Sequence, residues 1–91
     1  MNEAEILEVD IENLKHMLGA DSRYKKSQWG FRNRFAADGS DVESMRRLEK
    51  AGLVREVKSS IFVSDYLFVA TEAGCKKLGF NKKQIANALD F

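Results

Sequence analysis

Apolar residues recur along this chain at two periods, and the switches between them mark its elements. Leu7, Ile11, Leu14 and Leu18 repeat at spacings of four, three and four, with Ile6 and Met17 widening the stripe. That period predicts an amphipathic helix over residues 3–18, with acids Glu3, Glu5 and Glu8 at its positive end and Gly19 as its stop. The helical period returns in SDVESMRRLEKAGLV, where Val42, Met45 and Leu48 share one face and Glu43, Arg46, Arg47 and Lys50 the other. Ser40 and Glu43 have the spacing of a capping box, and Gly52 is placed to terminate the helix.

Alternation takes over next. Val54 alternates with Glu56, and Tyr66, Phe68 and Ala70 alternate with Leu67 and Val69, which predicts strands over 53–58 and 66–70. The serines and Asp65 between them suit a hairpin whose tip lies within 58–65, with its register open; Ile61 and Phe62 there would form an exposed apolar pair of the kind that marks contact surfaces. Thr71 is a candidate cap for a helix over 72–78 closed by Gly79. Asn81 and Gln84 predict the start of a last helix, with Phe80 and Ile85 as a staple and Ala88 and Leu89 as docking residues.

Residues 20–39 carry no clear period. Arg23, Lys25, Lys26, Arg32 and Arg34 interleave with Tyr24, Trp29, Phe31 and Phe35. Bases that neutralise phosphates and rings that stack on nucleobases suit nucleic-acid binding. The competing reading is a short helix over 28–37, capped by Ser27, in which Phe31 and Phe35 pair at i, i+4 and pack inward. Asp38 and Gly39 form the turn before the next helix.

Ninety-one residues, 44% of them apolar and nine aromatic, suffice for one packed core, so residues 1–91 are expected to form a single domain. No apolar run reaches the roughly 18–20 residues that span a bilayer. The acidic start, MNEAEILEVD, is unlike a signal peptide, and the lone cysteine suits a reducing compartment, so a cytoplasmic protein is expected. The formal charge of +1 conceals a gradient: residues 1–22 hold six acids and one base, and residues 23–58 hold ten bases and five acids. Such polarity either presents a basic face to an anionic partner or is neutralised within the fold.

Catalytic and metal chemistry find few candidates. One histidine and one cysteine give no metal-ligand spacing, and neither a glycine-rich phosphate loop nor a nucleophile elbow occurs. His16 falls off the apolar stripe and reads as a surface residue; Cys75, three residues before Leu78, reads as a buried thiol. No enzyme activity and no cofactor are expected.

The order of elements and two strings bring out a resemblance. VESMRRLEKAGLVRE, followed after a strand by YLFVATEAGCKKLG, resembles the third helix and wing of winged-helix regulators of the multiple-antibiotic-resistance type, with Thr71-Glu72-Ala73-Gly74 at the helix start after the wing. LKHMLGA and KKSQWGFRNRFAA resemble short uncharacterised prophage-encoded proteins. The first resemblance implies an α+β winged helix-turn-helix fold, with an N-terminal helix, a β-hairpin wing and short C-terminal helices. It implies double-stranded DNA as partner, met by Arg46, Arg47 and Lys50 on the recognition helix over 40–51 and by Lys58 near the wing, with Lys25, Lys26, Arg32 and Arg34 as flanking bases. Changing Arg46, Arg47 and Lys50 together to alanine is then expected to abolish DNA binding and spare the fold, since none lies on the apolar stripe. Asp41 and Glu43 at that helix's N-terminal end repel phosphate, which favours the alternative of a winged-helix module that binds a host or phage protein without DNA. A homodimer through Leu7, Ile11, Leu14 and Leu18 is a further expectation.

Overall fold

The computed structural model describes residues 6–20, 25, 28–57 and 66–89. Over these the chain runs α1 (Glu8–Leu18), β1 (Phe35–Ala37), α2 (Ser40–Lys50), β2 (Val54–Val57), β3 (Tyr66–Ala70), α3 (Glu72–Lys77) and α4 (Lys82–Leu89). The architecture is α+β, with four helices and a three-stranded antiparallel sheet in the order β1-β3-β2. The expected hairpin tip with Lys58, Ile61 and Phe62 lies outside the described residues, as do Arg23, Tyr24, Lys26, Ser27 and residues 1–5.

α1 starts later than its apolar period suggests. The Asp10 carboxylate reaches back to accept the Leu7 N–H at 2.9 Å, which fixes the first turn at Glu8. The buried stripe is Asp10, Leu14, Met17 and Leu18, while Leu7 stays 40% exposed. Leu14 and Leu18 are wholly enclosed in the chain's own core. Of the dimer face expected through Leu7, Ile11, Leu14 and Leu18, the last two are therefore taken up by the core, while Leu7 is exposed and Ile11 half-buried.

The short helix expected over 28–37 is not formed. A single turn at Gln28 ends at Gly30, whose φ of 91° breaks a right-handed helix. Gly30 donates to the Leu18 carbonyl at 2.9 Å and Arg34 to that of Met17 at 3.3 Å, so these amides bond across to α1 rather than along a helix. Phe35–Ala37 then joins the sheet, with Phe35 opposite Phe68 and Ala37 opposite Tyr66. The element ahead of α2 is consequently a strand, not the first helix of a helix-turn-helix pair.

Gly39, with φ 54°, lets the chain leave β1 and enter α2 directly. Ser40 is thereby wound into the first turn instead of capping it, and the expected box with Glu43 gives way to bonds from Asp41 to the Asp38 carbonyl and from Val42 to that of Gly39. The far end is as expected: Gly52 and Leu53 donate to the carbonyls of Glu49 and Leu48, both at 2.9 Å, in a Schellman closure. β2 and β3 pair with Val54 opposite Ala70, Arg55 opposite Val69, Glu56 opposite Phe68 and Val57 opposite Leu67.

Phe68, Val54, Ala70 and Ala37 lie on the sheet face that meets α1 and α2, and they pack with Leu14, Met17, Leu18, Met45 and Leu48. Leu67, Val69, Arg55 and Val57 occupy the other face. Thr71 caps α3 by accepting the Gly74 N–H, and its hydroxyl donates to the Gly52 carbonyl at 2.6 Å. Asn81 and Gln84 exchange side-chain bonds at 2.7 and 2.8 Å, the reciprocal box that the sequence predicts. Trp29 stacks on Phe80 with ring centroids 6.2 Å apart, and both belong to the core or its margin. Of the two residues expected to dock α4, Ala88 is buried and Leu89 remains 44% exposed.

Candidate functional site

The helix register of α2 points Arg47 back toward α1, where it forks onto Asp10, the one buried carboxylate among the described residues. Its Nε donates to Asp10 Oδ2 at 2.7 Å and its Nη2 to Oδ1 at 2.8 Å. Ser44, one turn earlier, donates to Oδ1 at 2.6 Å and itself accepts from Asn13 at 2.9 Å. With the Leu7 N–H, Asp10 thus receives four hydrogen bonds at full burial. Burial alone would push this carboxyl up. The bonds from Arg47, Ser44 and Leu7, with the Arg47 charge, outweigh it and hold the group at about 2.

Arg46 points the other way, over the sheet. It bonds Glu49 at 2.7 Å and Glu56 at 2.9 Å, and its guanidinium lies 5.2 Å from the Phe68 ring centre and 5.5 Å from that of Tyr66. Its hydrogen bonds to Glu49 and then to Glu56 raise its pKa further, so its charge is fixed and spoken for. Lys50 is exposed at the end of the same helix. Of the three bases expected on α2, two are therefore held in intramolecular pairs.

The flanking bases are dispersed. Lys25 and Arg34 are exposed, Arg32 is half-buried, and Lys26 and Lys58 lie outside the described residues. Because Arg47 anchors Asp10, changing it together with Arg46 and Lys50 would not spare the fold, contrary to the sequence expectation. Of the three described rings of residues 20–39, Trp29 and Phe35 pack against the core, and Phe31 is 45% exposed.

The sheet face turned away from α1 and α2 holds an open cleft of about 410 Å³, floored by Val57, Leu67 and Val69 and flanked by Arg34, Arg55 and Leu89. At its base Asn33 acts like an extra stretch of backbone. Its side chain accepts the Ala70 N–H at 2.7 Å and donates to the carbonyls of Ala70 and Ala88, at 3.2 and 3.1 Å, tying β3 to the end of α4.

His16 is exposed and meets Phe35 edge-on, with ring centres 6.2 Å apart. Cys75 is fully buried, and burial, with Glu72 nearby, pushes its thiol to about 11. Among the described residues no cluster of three or more His, Cys, Asp or Glu is placed to hold a metal ion, and no helix is long and apolar enough to cross a membrane.

Neither Asp10 nor the cleft was singled out by sequence reading. Asp10 did leave a signal: it stands four residues before Leu14 and eight before Leu18, in register with the buried stripe. A scan against protein-family models gave no match, and neither curated proteins nor solved structures showed significant similarity to the chain.

Proposed function

We propose that this α+β domain is a winged-helix-like protein-interaction module rather than a reader of duplex DNA. The observation that carries the reading is the commitment of Arg46 and Arg47 to Glu49, Glu56 and Asp10. A recognition helix needs bases free to meet phosphates or base edges. Once those pairs are set aside, α2 keeps Lys50 in its last turn against Asp41 and Glu43 in its first, which leaves the helix without positive excess. The winged-helix likeness draws support from the sheet, in which β1 pairs with the far strand of the β2–β3 hairpin. The resemblance to prophage-encoded proteins makes a host protein the natural class of partner.

The test is fluorescence anisotropy of a mixed-sequence duplex at low and physiological salt. The expected result is weak binding at both, with a shallow salt dependence reflecting few neutralised phosphates. Tight low-salt binding that falls steeply with salt and is lost in Lys50→Ala, an exposed position, would return α2 to the role of recognition helix and overturn the proposal.

A further inference from the structure

The sheet carries α1 and α2 on one face, and among the described residues its other face opens into the cleft lined by Val57, Leu67, Val69 and the end of α4. Val57, Leu67 and Val69 are only half-buried there, and Leu89 at the cleft's margin is 44% exposed. On the solvated face of an antiparallel sheet polar residues are the rule, so three aliphatic side chains in a row across an open cleft are a candidate contact surface.

The charges around it separate two classes of arginine. Arg46 and Arg47 are paired with carboxylates, whereas among the described residues Arg34 and Arg55 have no ion-pair partner. Both flank the cleft, and the one carboxylate among the described residues of its lining, Glu72, is engaged by Lys76 at 3.0 Å. The site therefore combines an aliphatic floor with two available guanidinium groups, which are suited to forked pairing with carboxylates.

The chemistry narrows the occupant. Among the described residues no aromatic ring lines the cleft, so these offer no stacking platform for a nucleobase. A second copy docked by the same face would bring Arg34 and Arg55 against their own equivalents, a like-charge contact. A volume of about 410 Å³ accepts one or two side chains of a bound segment.

We propose that this cleft binds an acidic peptide segment of a partner protein, with an aliphatic side chain seated on Val57, Leu67 and Val69 and carboxylates on Arg34 and Arg55. The inference rests on the protein-interaction reading above and assigns it a surface and a partner chemistry.

The experiment is selection of a randomised peptide library on the folded full chain. Affinities of the enriched peptides are then measured for the wild type and for the double variant Arg34→Ala/Arg55→Ala. Both positions are exposed, and circular dichroism checks that the variant keeps its fold. Enriched sequences should place Asp or Glu beside Leu, Ile or Val. Their binding should weaken roughly tenfold or more in the double variant and move the methyl resonances of Val57, Leu67, Val69 and Leu89. Peptides that lack acids, or that bind wild type and variant equally, overturn the cleft while leaving a protein-interaction role intact. Self-association of the chain that disappears in the double variant overturns the proposal in favour of a second copy. Failure to enrich any peptide overturns it too, and if duplex or single-stranded DNA binds at physiological salt in the same preparation, the broader reading falls with it.

Discussion

Replacing Arg47 with alanine would strand a fully buried carboxylate without its counter-charge, and the size of the effect follows from the geometry. Asp10 accepts four hydrogen bonds, two of them from the Arg47 guanidinium at 2.7 and 2.8 Å. The carboxyl is held at about 2 against a usual 3.8. At about 1.4 kcal/mol per unit, that difference contributes about 2 kcal/mol of stability at neutral pH. Breaking a buried pair from one side costs about 3–5 kcal/mol in general. The Arg47 side chain is itself 32% accessible, which places its loss at the lower end, about 3 kcal/mol. For a domain of this size that corresponds to a fall in Tm of about 12–24 °C.

Urea denaturation at pH 7 measures the loss, and an acid titration supplies an independent arm. The folded carboxyl titrates below its unfolded counterpart, so its contribution is complete above about pH 4 and disappears as pH falls toward about 2. Asp10→Asn should flatten the stability profile in that window, because the variant has no proton to take up there. If Arg47→Ala costs less than about 1 kcal/mol, or if Asp10→Asn keeps the wild-type acid slope, the pair is not the clasp between α1 and α2 described above.

Three further substitutions or probes test other joints. Gly74→Ala places a Cβ onto the Leu53 carbonyl oxygen, so it should cost about 2 kcal/mol in urea denaturation despite alanine's better helix propensity. Asn33→Ala removes three hydrogen bonds and orphans the Ala70 N–H, with an expected loss of about 3 kcal/mol and faster hydrogen exchange at Ala70. The Cys75 thiol, enclosed and held at about 11, should resist alkylation at pH 8 until the protein is unfolded by denaturant; rapid labelling of the native protein would contradict its burial.

Where structure is set within a few residues, the sequence could be read directly. Gly52 and the Thr71 and Asn81–Gln84 caps act across three or four positions, and each appears where its pattern predicts. β3 likewise spans Tyr66–Ala70 as its composition suggests. Failures occurred where a distant partner decides. Phe31 and Phe35 have the i, i+4 ring spacing of a helix, yet pairing with Phe68 across the sheet and the left-handed Gly30 put Phe35 into a strand. Asp10 and Arg47 are 37 residues apart, and nothing local in either marks the other as its counter-ion.

The cleft was hidden for a different reason. β3 is apolar at every position, so alternation along it shows that two faces exist without showing which of them meets α1 and α2 and which lines the cleft. That asymmetry emerges only once the β2–β3 register sets Val57 beside Leu67 and Arg55 beside Val69. It also reorders the bases. By composition Arg34, Arg46, Arg47 and Arg55 are equivalent cations in one basic stretch, but the fold gives Arg46 and Arg47 carboxylates and leaves Arg34 and Arg55 beside the half-buried aliphatic floor of the cleft. A cation whose charge is already matched stabilises the fold, whereas one held next to an apolar floor is available for recognition. The charge that a partner meets is thus a property of pairing rather than of count, which is why the basic stretch suggested a helix surface for DNA while the available charge lies behind the sheet.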